Sequence, residues 1–127
     1  MKNFLIIIVM IFMSAHIACS SANNSVRNIT AELAYQMIQG LEEFIIIDTR
    51  TYNEFRNQRI EGAVNIPYDQ IADRAVQEIA DKQMVILVYC QAGRRSAIAA
   101  NFLVKLGFVN VYNFGGINNW RFSTVSG

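Results

Sequence analysis

The stretch Met84-Val85-Ile86-Leu87-Val88-Tyr89 is apolar without interruption and runs directly into Cys90-Gln91-Ala92-Gly93-Arg94-Arg95. A strand with one wet face alternates apolar and polar residues, whereas a strand with no polar position has to be covered on both faces. Phe44-Ile45-Ile46-Ile47 has the same character and stops at Asp48. Between such strands lie segments of helical period. Ala31 to Gln39 sets Leu33, Ala34, Met37 and Ile38 on one face, between an N-cap at Thr30 and a stop at Gly40. After Pro67, the apolar positions Ile71, Ala75, Val76, Ile79 and Ala80 oppose a charged face of Asp69, Asp73, Arg74, Glu78, Asp81 and Lys82. A third helix is expected from Ser96 to Leu106, with Gly107 as its stop. Shorter strands are expected at Val26–Ile29, Gly62–Pro67 and Val109–Asn113, one or two helical turns at Thr51–Arg56, and a terminal helix around Trp120. Strand and helix alternating at this spacing give an α/β layer fold with a mainly parallel sheet. Ligands of such sheets sit beyond the carboxyl ends of the strands, which is where Asp48 and Cys90 fall.

A chain of 127 residues suffices for one domain. Its N-terminus is of a different kind. Lys2 precedes an apolar run from Phe4 to Met13, and Ser14 to Ala22 supplies the small residues a signal peptidase needs. Ten apolar residues at about 1.5 Å each fall short of a hydrocarbon core of about 30 Å. Residues 1–22 are therefore expected to be a cleaved export signal and 23–127 the domain, exported to a periplasm. Ile17-Ala18-Cys19 also resembles a bacterial lipoprotein box, although His16 stands where such boxes usually carry Leu. Cleavage before Cys19, with a lipid holding the protein to the periplasmic side of the membrane, and cleavage after Ala22 both stay open.

Either cleavage removes His16, the only histidine. The remaining chain then has no Cys-His or Ser-His dyad, no histidine base and no ordinary zinc site. Cleavage after Ala22 also removes Lys2 and takes the formal charge from +1 to zero, leaving no basic footprint for nucleic acid. With only Cys19 and Cys90, no disulfide framework exists. An isolated cysteine at a strand end is ordinarily a small buried hydrophobe. Here the six residues from Cys90 form a loop whose N–H groups can converge on an anion ahead of a helix N-terminus, beside Arg94 and Arg95. That setting stabilises a thiolate nucleophile without histidine. Gly115-Gly116 lacks the spacing of a phosphate loop, and Phe108, Phe114, Trp120 and Phe122 are expected to pack rather than to cage a ligand.

Cys90-Gln91-Ala92-Gly93-Arg94-Arg95-Ser96 resembles the active loop of single-domain rhodaneses. Asp48-Thr49-Arg50 with Glu54-Phe55 is similar to the family's upstream signature, Gly62-Ala63-Val64-Asn65-Ile66-Pro67 to its G-A-x-N-I-P, and Gly115-Gly116 with Trp120 to its closing G-G-x-x-x-W. The likeness runs from about Ile29 to Arg121. It departs at Gln58-Arg59-Ile60-Glu61, where the family commonly has Gly-His-Ile-Pro; this segment is expected to be a surface turn away from the loop.

The resemblance implies a three-layer fold with a central mainly parallel sheet flanked by helices. It also implies a sulfurtransferase, working without metal or cofactor through a persulfide on Cys90. The donor would be thiosulfate or a similar small anion, and the acceptor cyanide or a thiol. Gln91, Ala92, Gly93, Arg94 and Arg95 would bind the donor, with Arg95 favoured over Arg94 as the residue facing it. Asp48, Arg50 and Glu54 would form one supporting charge network. Phosphatase-type loops place five residues between Cys and Arg, and here Cys90 and Arg95 enclose four, a smaller cradle suited to one sulfur atom. A monomer is the expected state. The competing reading is a noncatalytic rhodanese-like module that binds a partner or senses sulfide or oxidants through Cys90.

Overall fold

The computed structural model describes residues 24–127. The expected signal peptide, with His16 and Cys19, lies outside these residues. Five strands, β1 (Arg27–Asn28), β2 (Ile45–Asp48), β3 (Val64–Asn65), β4 (Val85–Cys90) and β5 (Asn110–Gly116), form one sheet in the order β1-β5-β4-β2-β3, and every neighbouring pair is parallel. Helices α1 (Ala31–Gly40), α2 (Tyr52–Asn57), α3 (Ile71–Glu78) and α4 (Arg94–Lys105) connect them, with 3-10 turns at Tyr68–Gln70 and Ile117–Asn119.

The two unbroken apolar strands lie at the centre, as their composition demands. Ile47, Ile86 and Val88 face α3 and α4, packing on Ile71, Ala75, Ala99, Ala100 and Leu103. Ile46, Leu87 and Tyr89 face the opposite way, toward Ala34 of α1, Phe114 and Ile117. Both faces of the sheet are thus covered, giving three layers. Each fully buried branched side chain contributes about 1.5–3 kcal/mol relative to exposure.

The chain leaves β2 toward β3 on one side of the sheet and leaves β4 toward β5 on the other. Strands β2 and β4 are neighbours, paired from Ile45–Ile86 to Asp48–Tyr89. The crevice beyond their carboxyl ends, where connections diverge, is the place such folds reserve for ligands. Asp48 and Cys90 end these two strands.

Several elements differ from expectation. Helix α4 starts at Arg94, two residues early, because Gly93 takes φ 108°, a left-handed conformation that turns the chain straight into the helix. Arg94 and Arg95 therefore belong to the first helical turn rather than to the loop. Leu33, Val76 and Ala80 are exposed, since the inward stripe of α1 runs through Ala31 and Ala34 and that of α3 through Ile71 and Ala75. Strand β5 continues through Gly115-Gly116, which were expected to follow it. The terminal helix is only the 3-10 turn before Trp120, whose ring packs edge-on to Phe122 while Tyr35 stacks on Phe122 at 3.8 Å.

Candidate active site

Cys90 ends β4 with its residue only 1% exposed. Its sulfur accepts the Gly93 N–H at 3.0 Å, and Ser96 Oγ lies 3.5 Å away. Ser96, fully buried in the first turn of α4, also has the carbonyls of Gly93 and Gly115 at 3.1 and 3.2 Å. Its single proton can face either carbonyl or, once the thiol ionises, the sulfur. Burial is the largest influence on the Cys90 thiol and pushes its pKa up. The Ser96 hydroxyl and the N–H groups of Ser96, Gly93 and Ala92 together outweigh it, leaving the pKa below its ordinary value. No imidazole takes part among the described residues.

The loop is short because it is held on both sides. Gln91 accepts from Arg50 Nη1 at 3.0 Å through Oε1 and donates to Asn118 Oδ1 at 2.6 Å through Nε2. Its main-chain carbonyl accepts the Asn118 N–H at 3.2 Å. A Cβ on Gly116 would stand 2.1 Å from that same carbonyl oxygen, so β5 can run this close to the loop only with glycine at 116.

Asp48 and Arg50 form a buried ion pair, with 2.7 Å between Nη2 and Oδ2, and Asp48 Oδ1 also accepts the Arg50 N–H at 2.9 Å. Asn65 Nδ2 clips the turn by donating to the carbonyls of Asp48 and Arg50 at 3.1 and 2.9 Å. Burial opposes the Arg50 charge, yet Asp48 overcomes it and the guanidinium is held above its ordinary pKa. Tyr89 lies beneath, its hydroxyl accepting the Ile60 N–H at 3.1 Å and its pKa raised by burial and by Asp48.

The expected single network of Asp48, Arg50 and Glu54 is instead two. Glu54 caps α2 by accepting the Thr51 N–H at 2.8 Å, and it pairs with Arg95 through 2.8 and 3.0 Å contacts. That bidentate pair holds the Glu54 carboxyl down at about 2. Arg95, favoured from sequence as the donor-facing residue, is thus also held by Glu54. Its guanidinium is already met by Glu54, which raises its pKa against burial, with the Cys90 charge adding to the effect. Arg94 is exposed and forms no hydrogen bond among the described residues. The segment expected to be a remote surface turn is also tied in: the Gln58 carbonyl accepts from Arg50 Nη2, and Ile60 is 3% exposed against Tyr89.

Cys90, Gln91, Ala92, Gly93, Arg94 and Arg95 therefore run from the end of β4 into the first turn of α4, with Asp48 and Arg50 bracing Gln91, and Glu54 bracing Arg95. Ser96, Gly116, Asn65 and Asn118 were not among the residues singled out from sequence. Ser96 is one helical turn beyond Gly93, and starting the helix at Arg94 would have found it. Asn118 carries no local signal. Among the described residues no cluster of side chains could hold a metal.

Known proteins share this plan. The rhodanese-like domain family matches residues 30–123. Thiosulfate sulfurtransferase PspE of Escherichia coli (strain K12) is 33% identical over 81 residues, spanning 64% of this chain and 78% of that protein. A putative sulfur carrier protein of Bacillus subtilis, YrkF, is 33% identical over 107 residues, 83% of this chain and 57% of that longer protein. Among solved structures, a rhodanese with anions from E. coli superposes with a TM-score of 0.62 at 32% identity, covering 65% of this chain and 98% of its own.

Proposed function

Because the chain belongs to the family of rhodanese-like domains, we propose that it is a sulfurtransferase that carries sulfane sulfur on Cys90. One observation carries the reading: a buried sulfur at the carboxyl end of the central strand receives N–H and O–H groups that favour its anion, with Arg94 and Arg95 in the first turn of the helix that follows. A thiol kept only for packing needs neither. The relative named a thiosulfate sulfurtransferase supports the choice of thiosulfate as donor.

In the first half-reaction the Cys90 thiolate attacks the outer sulfur of thiosulfate. The new S–S bond forms as that of thiosulfate breaks, and sulfite leaves with the electron pair, so the charges of thiolate and thiosulfate together reappear as the sulfite dianion and the enzyme persulfide anion. In the second, an acceptor anion such as cyanide or a thiolate attacks the outer sulfur and returns Cys90 as thiolate. Neither step transfers a proton to the protein, which accounts for a site without a general base. Burial of Sγ admits a donor that delivers one atom and disfavours a tetrahedral centre. Arg94 draws in and orients the sulfonate end, while Arg95, fixed by Glu54, adds positive potential near the sulfur. Ala92 and Gly93 supply the amides that receive the persulfide's charge.

The test is intact mass. Protein purified after expression of the full chain, incubated with thiosulfate, should gain about 32 Da, the mass of one sulfur atom, and lose it as thiocyanate on adding cyanide. Cys90→Ser should do neither. A Cys90 that stays unmodified and unreactive overturns the reading in favour of a module that binds or senses without transferring sulfur.

A further inference from the structure

Residues 124–127 lie beyond the span that the rhodanese-like family matches, and they fold back onto the segment between α2 and β3. Arg59 and Val125 exchange both main-chain hydrogen bonds at 2.9 Å as an antiparallel bridge, and the Gly127 N–H donates to the Arg56 carbonyl at 2.9 Å. Two side chains complete the join. Gln58 Nε2 donates to Thr124 Oγ1 at 3.1 Å, and Arg59 Nη1 donates to the Gly127 carbonyl at 2.8 Å. The Arg59 guanidinium also lies over the Phe55 ring, 4.8 Å from its centre. At its other end this strap is fixed by Phe122, stacked on Tyr35 and edge-on to Trp120. Gln58 and Arg59 stand where related domains commonly carry glycine and histidine. A glycine has no side chain to reach Thr124, and a neutral histidine brings no cation to the Gly127 carbonyl or the Phe55 ring. The departure from the family pattern and the residues beyond the family match are thus two halves of one contact.

Both braces of the cysteine loop hang from the segment that the strap holds. Within α2, Glu54 fixes Arg95 through their bidentate pair. Four residues on, the Gln58 carbonyl accepts from Arg50 Nη2, while Arg50 Nη1 donates to Gln91 Oε1. The Gln58 N–H closes α2 on the Glu54 carbonyl at 3.1 Å. Arg50 and Arg95 therefore reach the loop at its two ends, Gln91 and the first turn of α4, from a single stretch of chain. That stretch does not hold itself. Helix α2 has six residues and none of them is buried, whereas isolated helices shorter than about 12–15 residues are marginal in water. Its place depends on what ties its ends: the capping box of Thr51 and Glu54 at the start, and the strap at the finish.

We propose that Gln58 and Arg59 are positioning residues which, joined to residues 124–127, set the geometry of the cysteine loop from outside it, a role in turnover that rests on the sulfurtransferase reading. Neither forms a hydrogen bond to residues 90–95. Bridged to the strap, the main chain at 58 and 59 aims the Gln58 carbonyl at Arg50, and the finish of α2 stays where Glu54 meets Arg95. Once the bridge is released, both guanidiniums are free to shift. Gln91 then loses the partner of its Oε1, and the Ala92 and Gly93 amides that face the sulfur move with it. Arg94, an exposed residue outside this network, keeps its place toward the sulfonate of the donor. Loss of the strap therefore slows the chemical step and weakens the hold on the thiolate while leaving donor affinity nearly as it was.

The experiment compares the native protein, expressed as the full chain, with Arg59→Ala, Val125→Pro and Thr124→Val. Val125→Pro deletes the N–H that donates to the Arg59 carbonyl, and Thr124→Val takes only the Gln58 contact. In Arg59→Ala and Val125→Pro, kcat for thiosulfate-to-cyanide transfer should fall about tenfold, less than the roughly 100-fold that a full 1 Å misplacement can cost. The KM for thiosulfate should stay within about twofold of native. The thiolate absorbance, with Cys90→Ser as the blank, should titrate about half a pH unit higher as hydrogen bonds to the charged sulfur loosen. Thr124→Val should fall between these variants and the native protein, and any one of the three that folds decides the matter. Arg59→Lys, which keeps a cation for the carbonyl and the ring, should recover much of the loss. Arg74→Ala, which removes a surface ion pair on α3, is the control and should match the native protein in both readouts. Native kcat and native thiol titration in Arg59→Ala and Val125→Pro, whatever their melting temperatures, overturn the assignment, because a strap that serves stability alone moves neither. A raised KM at unchanged kcat overturns it as well, since it puts Arg59 on the donor. Failure of the native protein to take sulfur from thiosulfate counts against the sulfurtransferase reading alone, and the thiol titrations still judge the strap.

Discussion

Replacing Gly116 by alanine perturbs the active loop without touching the sulfur. Strand β5 pairs Gly116 with Cys90, and a Cβ there would sit 2.1 Å from the Gln91 carbonyl oxygen and 2.8 Å from the Ala92 Cα. Both are main-chain atoms, so no rotamer change relieves the overlap. The carbonyl must retreat by roughly 1 Å to reach the closest separation ordinary side chains show. The Ala92 and Gly93 amides move with it, and the Gly93 N–H to sulfur contact, 3.0 Å in the native loop, opens toward about 4 Å, beyond hydrogen-bond range. Overpacking of this kind costs about 1–3 kcal/mol of stability. A misplacement of that size at reacting atoms costs on the order of 100-fold in rate. Gly116→Ala should therefore lose about two orders of magnitude in thiosulfate-to-cyanide turnover. Its thiolate absorbance should titrate at higher pH than in the native protein, and its melting temperature should fall by several degrees. Gly40→Ala is the control, because nothing lies within 4 Å of a Cβ at the end of α1. Native turnover together with a native thiol titration in Gly116→Ala would refute the claim that the approach of β5 sets the cradle.

Ser96→Ala should raise the Cys90 pKa and shift the alkaline-rising limb of the rate–pH profile upward. The direction follows because the native pKa is depressed: thiolate is present at lower pH than in a free cysteine, and the hydroxyl is one of the groups that keep it so. Arg94→Ala should raise the KM for thiosulfate about tenfold, the worth of a charge-assisted contact of about 1.4 kcal/mol, and added salt should narrow the difference. An unchanged KM assigns the donor to other groups. Glu54 titrates in the folded chain at about 2, below its unfolded value, so its pairing stabilises the fold above the unfolded carboxyl pKa and is lost as pH falls toward 2. Glu54→Gln should flatten that part of the acid-stability curve, by on the order of 1 kcal/mol or less because the pair is partly solvated. Mass spectrometry of the protein recovered from a bacterial host should show an N-terminus after Ala22 or a lipid on Cys19; an intact Met1 terminus in the mature product would refute export with processing.

What could be read in the sequence was what depends on neighbours along the chain. The apolar runs of β2 and β4 announce a sheet covered on both faces, and Thr30 and Thr51 announce helix starts that the structure confirms with side-chain caps. Cys90 at a strand end followed by glycine and two arginines announces an anion loop. What was not legible depends on partners far away in sequence. Whether Glu54 would meet Arg50 or Arg95 is decided by where α2 lands beside α4, and no spacing encodes that. Leu33 and Val76 fit a helical stripe on paper, but the sheet touches a narrower face than the stripe allows. The start of α4 turned on the single backbone angle of Gly93, and with it went the distinction between loop arginines and helix arginines. Asn118 joins the site only because β5 runs on through Gly116 and delivers the next turn against Gln91.

The cradle around the sulfur is largely main chain. The amides of residues 92, 93 and 96 act with the Ser96 hydroxyl, so a new side chain at Ala92 leaves the charge-stabilising part of the site standing, whereas Gly93 is held by its left-handed backbone and Ser96 by its hydroxyl. Evolutionary or engineered change can then be sorted by path rather than by proximity. Ala92 is exposed at the tip of the loop, so its side chain can grow or acquire charge to alter which donors are admitted while the amide behind it stays in place. Gly116, Asn65 and Asn118 never touch the sulfur, yet they fix the route the backbone takes. Tolerance and sensitivity are thereby inverted: the residue nearest the mouth is free to vary, and those behind it are not.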